Sequence, residues 1–148
     1  MKTPLLLTLS LLAVCAPLTS AFAHCQIPCG IYDDKTVFSQ MALDVETIQK
    51  SMESIDELSK EKSSAEVNNQ LVRWVNNKET HANNIEEVAA QYFLAQRIKA
   101  DQPDYQKRLE LLHGIIVAAM TTKQTVDPAN ASKLGDLVSE FEKIYFKK

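Results

Sequence analysis

Residues 34–58 read DKTVFSQMALDVETIQKSMESIDEL, and they place Phe38, Met41, Val45, Ile48, Met52 and Ile55 at alternating intervals of three and four. In an α-helix that spacing gathers all six onto one stripe. A helix with one buried face is therefore predicted, with Asp33 or Asp34 positioned to cap its N-terminus. An amphipathic helix needs partners to cover its apolar stripe, and the rest of the chain supplies them.

A long second pattern runs over 64–99. Its stripe is Val67, Leu71, Trp74, the stem of Lys78, Ala82, Ile85, Val88 or Ala89, and Tyr92, while Glu66, Glu86 and Glu87 keep the other surface wet. Asn76-Asn77 and Asn83-Asn84 are poor helix formers, so a bend is expected there. Past Pro103, a third helix is predicted over 104–121 with Tyr105, Leu109, Leu112, Ile115, Ile116 and Ala119 inward. Gly114 inside it costs about 0.5–1 kcal/mol in propensity, a cost that a close helix crossing would explain. Asp127-Pro128 opens a fourth helix, the acid as cap and the proline in the first turn, with Leu134, Leu137, Val138, Phe141 and Ile144 apolar. Strand signals are nearly absent. The expected fold is all-α: an antiparallel four-helix bundle over 34–147 preceded by an N-terminal metal-binding hook at 24–32.

The first 23 residues read as a secretory signal peptide. Lys2 gives the positive start, Leu5 to Val14 an apolar core, and Ala21-Phe22-Ala23 a small-x-small cleavage site. Residues 24–148 then form a single domain. The protein is expected to be exported, to the periplasm or the extracellular space, with no membrane span after processing. The full chain has 16 basic and 19 acidic residues, a net charge of −3 that becomes −4 when Lys2 is removed. That balance gives no reason to expect binding to nucleic acid or to an anionic membrane.

Cleavage after Ala23 would leave His24-Cys25-Gln26-Ile27-Pro28-Cys29-Gly30-Ile31-Tyr32 at the new N-terminus. The His24 amine, the Cys25 amide nitrogen and the Cys25 and Cys29 thiolates then make a planar set of two nitrogens and two sulfurs. Adjacent chelate rings favour a plane over the tetrahedron that zinc prefers, and planar geometry points to nickel(II) or copper(II). The His24 imidazole can add as an axial ligand. Pro28 restricts the turn that returns Cys29. Tyr32 would stand beside the open face, where its phenol could hydrogen-bond a small oxygen ligand, or would pack the hook onto the helices. Two other readings stay open at this level. Cys25 and Cys29 could form a disulfide in an oxidising compartment, or the site could carry nickel or copper for delivery without turnover.

The segment HCQIPCGIY resembles the hook of the nickel-containing superoxide dismutases, His-Cys-x-x-Pro-Cys-Gly-x-Tyr, at all six fixed positions. The likeness continues through VETIQKSM and from LVRWVNNKE to QYF. It implies a four-helix subunit in a homohexamer, one nickel ion per subunit, and disproportionation of the small anion superoxide to oxygen and hydrogen peroxide by Ni(II)/Ni(III) cycling. It assigns His24, Cys25 and Cys29 as metal ligands, and Tyr32 joins them as a catalytic residue near the substrate approach. One departure stands out. Some members brace the axial imidazole with a glutamate in the first helix and an arginine in the second, where this chain has Gln40 and, by a looser placement, Asn77.

Away from the hook, His81 and His113 read as structural or surface residues, and Trp74 as core. Lys35 reads as a solvated helix residue that could also attract an anion. Asn130-Ala131-Ser132 fits a glycosylation pattern. Glu57, Glu61, Glu86 and Glu87 read as solvated faces.

Overall fold

The computed structural model describes residues 33–147. Among them are four helices and no strand: α1 (Asp34–Ser59), α2 (Ala65–Glu87, continuing in wide π turns over Val88–Arg97), α3 (Tyr105–Gln124) and α4 (Pro128–Tyr145). α1 packs on α2 and α4, and α3 packs on the same two, so the four close around one core. None of these helices is long and apolar enough to cross a membrane.

Three of the four helices start where the sequence provides a side-chain cap, and α3 begins after Asp104, which makes no such bond. Asp33 Oδ1 accepts from the backbone N–H groups of Lys35 and Thr36 at 3.0 and 3.2 Å. Ser64 Oγ accepts from Val67 N at 3.1 Å. Asp127 Oδ1 accepts from Ala129 N at 3.0 Å, with Pro128 in the first turn of α4. These side chains satisfy donors that the first helical turn leaves unpaired.

All six stripe residues of α1 are buried, and Leu134, Val138 and Phe141 of α4 meet them in the core. Phe38 contacts the rings of Phe93, Phe141 and Tyr145 at centroid separations of 4.9, 5.5 and 5.4 Å, within the range of favourable aromatic packing.

Three expectations need correction. Regular α-helical turns run through Asn76-Asn77 and Asn83-Asn84, and the irregularity begins instead at Val88. The α3 face is partly as predicted: Leu112, Ile115 and Ala119 are buried, Tyr105, Leu109 and Ile116 only half-buried, and Arg108, Leu111 and Ala118 are buried beside them. Arg108 can sit inside because its guanidinium reaches Gln102 Oε1 and Ile144 O at 3.4 and 3.3 Å and lies over the Tyr145 ring, with its stem against apolar neighbours. Trp74 is half-buried rather than core.

The cost of Gly114 also finds no close crossing. A Cβ built there would meet Leu137 at an ordinary 3.6 Å. The tighter approach is at Gly135, where a Cβ would lie 3.3 Å from Val45 of α1.

Candidate functional site

The sequence-predicted ligands His24, Cys25 and Cys29, together with Tyr32, lie outside the described residues. No cysteine occurs after Cys29, and the described residues hold no group of three or more His, Cys, Asp or Glu side chains able to bind a metal ion. The donor set of the hook is the one to test for fit. Two thiolates and an ionisable amide are anionic donors, and a His24 amine freed by cleavage would add a neutral nitrogen, a set suited to a soft-binding divalent ion. Residues 24–29 therefore fit nickel by their chemistry.

The helices supply the platform on which such a hook would begin. Next to the Asp33 cap, the Asp34 carboxylate accepts from the hydroxyl of Tyr92 and, at 2.8 Å, from that of Tyr145. Arg97 Nε lies 3.4 Å from the same carboxylate. Burial, reinforced by hydrogen bonding to Asp34, raises both phenols above the usual tyrosine range, so both stay protonated donors at neutral pH. The Arg97 guanidinium is held charged, first by its hydrogen bond to Tyr92. It stacks over the Tyr92 ring at 4.9 Å.

The wide π turns explain that contact. Tyr92 and Arg97 are five residues apart, and Ile98 N bonds back to Phe93 O over the same interval. In an α-helix, residues five apart face different directions. The i→i+5 winding brings them together, and such widened turns recur at functional sites.

A polar seam runs between α1 and α2. Asp44, 1% exposed, is buried in it. Its Oδ1 is bonded by His81 Nδ1 at 2.6 Å and by Gln40 Nε2 at 3.3 Å. Further along, Asn77 Nδ2 donates to Ser51 Oγ at 3.1 Å. Gln40 and Asn77 thus lie on the same seam but bond to different partners. Sequence reasoning missed Asp44 altogether, because nothing local distinguishes it from a solvated helical acid. His81, read as structural or surface, takes the structural role, since it is the partner of that buried carboxylate.

Two more polar groups depart from expectation. Glu86 is not simply solvated: its Oε1 lies 2.9 Å from Lys123 Nζ. Lys78 is almost fully buried, and its ammonium donates to the carbonyls of Thr122 and Lys123 at 2.7 and 2.6 Å, capping the end of α3. Burial pushes its pKa down, opposed by nearby Glu79.

Comparison with known proteins gives one consistent result. A family model described as nickel-containing superoxide dismutase matches residues 19–148, a span that takes in all of 24–32. A protein of Streptomyces seoulensis named Superoxide dismutase [Ni] is 24% identical over 132 residues, covering 89% of this chain and 92% of its own length. No solved structure matches the chain significantly.

Proposed function

The chain belongs to the family of nickel-containing superoxide dismutases, and from that premise we propose that it disproportionates superoxide at a mature N-terminus exposed by cleavage after Ala23. The observation that carries this reading is the uninterrupted HCQIPCGIY motif, whose donors have no rival metal-binding group among the described residues.

The His24 amine, the Cys25 amide nitrogen and the thiolates of Cys25 and Cys29 would hold one nickel ion per subunit, with the His24 imidazole as a further donor. When bound, nickel supplies a one-electron couple between its divalent and trivalent states. In balance, two superoxide ions and two protons give one oxygen and one hydrogen peroxide. Thiolate donation lowers the cost of removing an electron. Pro28 would restrict the turn that brings Cys29 back toward Cys25, and the Tyr32 phenol would offer a hydrogen bond to a small oxygen species.

The same reading covers the processing and assembly of the protein. Residues 1–23 direct export to the periplasm or extracellular space and are removed, leaving 24–148 as the domain. The helices form an antiparallel bundle. In support, Asp34 at the start of α1 bonds Tyr145 at the end of α4, and Arg108 at the start of α3 bonds Ile144 near the same end. The subunit assembles as a homohexamer, a reading supported by family likeness and by the exposed side chains of Val72, Val117 and Met120.

The test is to prepare the mature protein with nickel, confirm His24 as the first residue by intact mass, and follow superoxide decay directly. Rapid decay that is abolished by one extra residue before His24 is expected. Nickel binding without turnover would favour a delivery protein and overturn the enzymatic reading.

A further inference from the structure

Sulfur is sharply divided within the helices. The chain has four methionines, Met1, Met41, Met52 and Met120, and the last three lie among the described residues. Met41 and Met52 are both 0% exposed in the core, whereas Met120 on α3 is 44% exposed. No cysteine follows Cys29, so Met120 carries the one solvent-exposed sulfur atom among the described residues.

The surroundings leave that sulfur open. Val117, three residues earlier, is 40% exposed, and Gln124, four residues later, is exposed too. Residues at these intervals share a helix face, so Val117 and Met120 make a small apolar face on the outside of α3. No carboxylate occurs between Glu110 and Asp127. The nearest ammonium in sequence, that of Lys123, is committed to Asn83 and Glu86 at 2.9 Å.

The family's reaction supplies an oxidant suited to this group. Two superoxide ions and two protons yield one hydrogen peroxide, a small uncharged molecule that the net negative charge of the chain does not repel. Peroxide oxidises a thioether without a metal. A sulfur lone pair attacks one peroxide oxygen, the O–O bond breaks and an S–O bond forms. The sulfur gives up two electrons, and the proton left on the transferred oxygen joins the departing hydroxide as water. Methionine and hydrogen peroxide thus become methionine sulfoxide and water.

The product is polar where the thioether was apolar. At Met41 or Met52 it would bury an unpaired acceptor in the core. At Met120 it alters only the outer face of α3, and the helices can keep their packing.

We propose that Met120 is an oxidation site for hydrogen peroxide in the free subunit, and that its sulfoxide keeps a second copy of this chain from covering the Val117–Met120 face. The second half rests on the reading of the protein as a homo-oligomer; the first half does not.

The test treats the mature, nickel-free protein, diluted to subunits, with millimolar hydrogen peroxide and follows the gain of one oxygen atom on tryptic peptides by mass spectrometry. Oxidation of the peptide carrying Met120 should be at least about tenfold faster than that of the peptides carrying Met41 and Met52, as exposure dictates. Equal rates at the three sites, or a Met120 that stays reduced, would overturn the site. Sedimentation velocity then compares wild type, Met120→Leu and Met120→Gln on reconcentration, before and after peroxide. Oxidised wild type and untreated Met120→Gln should associate at least about threefold more weakly than untreated wild type, because both carry a polar group on that face. Met120→Leu should associate normally and ignore peroxide. It retains Cys25 and Cys29, so a loss of association in this variant too would trace the effect to the thiols and overturn the role of Met120. Unchanged association of the oxidised wild type would do the same. A wild type that is monomeric before any peroxide would overturn the oligomer reading and the second half with it, while the peptide rates still judge the site.

Discussion

Asp34 and Tyr145 are 111 residues apart in sequence and joined by a 2.8 Å hydrogen bond. The contact ties the first turn of α1 to the last turn of α4, and Tyr92 and Arg97 bring the end of the second helix to the same carboxylate.

That arrangement predicts an alkaline weakness. Both phenols have folded-state pKa values raised above the ordinary value near 10. The folded protein therefore keeps these protons more tightly than the unfolded chain. The stabilisation is fully present below about pH 10 and is lost as pH rises beyond it. Tyr145→Phe should cost about 1.5–3 kcal/mol at pH 7, as expected for a hydrogen bond to a charged group, and should flatten the fall of Tm above about pH 10. An equally steep fall in the variant would refute the assignment.

Lys78 predicts a different loss. Its ammonium satisfies two carbonyls at the end of α3. Lys78→Met keeps the apolar stem and removes the donor, so stability should drop by about 1–3 kcal/mol from the unpaired buried acceptors. Urea unfolding with an unchanged m-value is the measurement. A variant as stable as wild type would mean that the desolvation of Lys78 cancels its bonds.

The two helical glycines with described surroundings should respond oppositely. At Gly114 a methyl meets only ordinary contact with Leu137, so Gly114→Ala should gain about 0.5–1 kcal/mol in helix propensity. At Gly135 the methyl presses on Val45 at 3.3 Å, and Gly135→Ala should gain less than Gly114→Ala or lose stability. Paired thermal melts decide it, and a larger gain at Gly135 would contradict the packing described.

Within the hook, Cys29→Ser should abolish nickel retention and superoxide consumption together while leaving the helical circular dichroism intact. Tyr32→Phe should retain nickel but slow turnover by up to about tenfold, the scale of one lost hydrogen bond of roughly 1.4 kcal/mol. Metal content by mass spectrometry and superoxide decay separate the two effects. A Cys29→Ser protein that keeps its nickel would overturn the ligand assignment.

What the sequence made legible follows from range. The α1 stripe and the Asp33 and Asp127 caps depend on neighbours within four residues, and their positions could be read directly. The hook motif is equally local. The α3 face was read only in part: Leu112, Ile115 and Ala119 are buried as expected, but Arg108, a charged residue, is buried too, through partners on two other segments. The Asp44–His81 pair spans 37 residues, and periodicity carries no information about how two helices slide past each other. The π winding was hidden for the same reason: residues 88–97 look helical in composition, and the contact that favours the wider turn includes Asp34, far away in sequence.

The winding at Val88–Arg97 has a consequence for how this segment tolerates change. Substitutions there can keep the hydrogen-bond interval, but a one-residue deletion between Tyr92 and Arg97 would invite rewinding to the narrower helix. It would swing the guanidinium about 100° around the axis and take away the cation that pairs with Asp34. The segment is therefore more vulnerable to a miscount than to a misspelling.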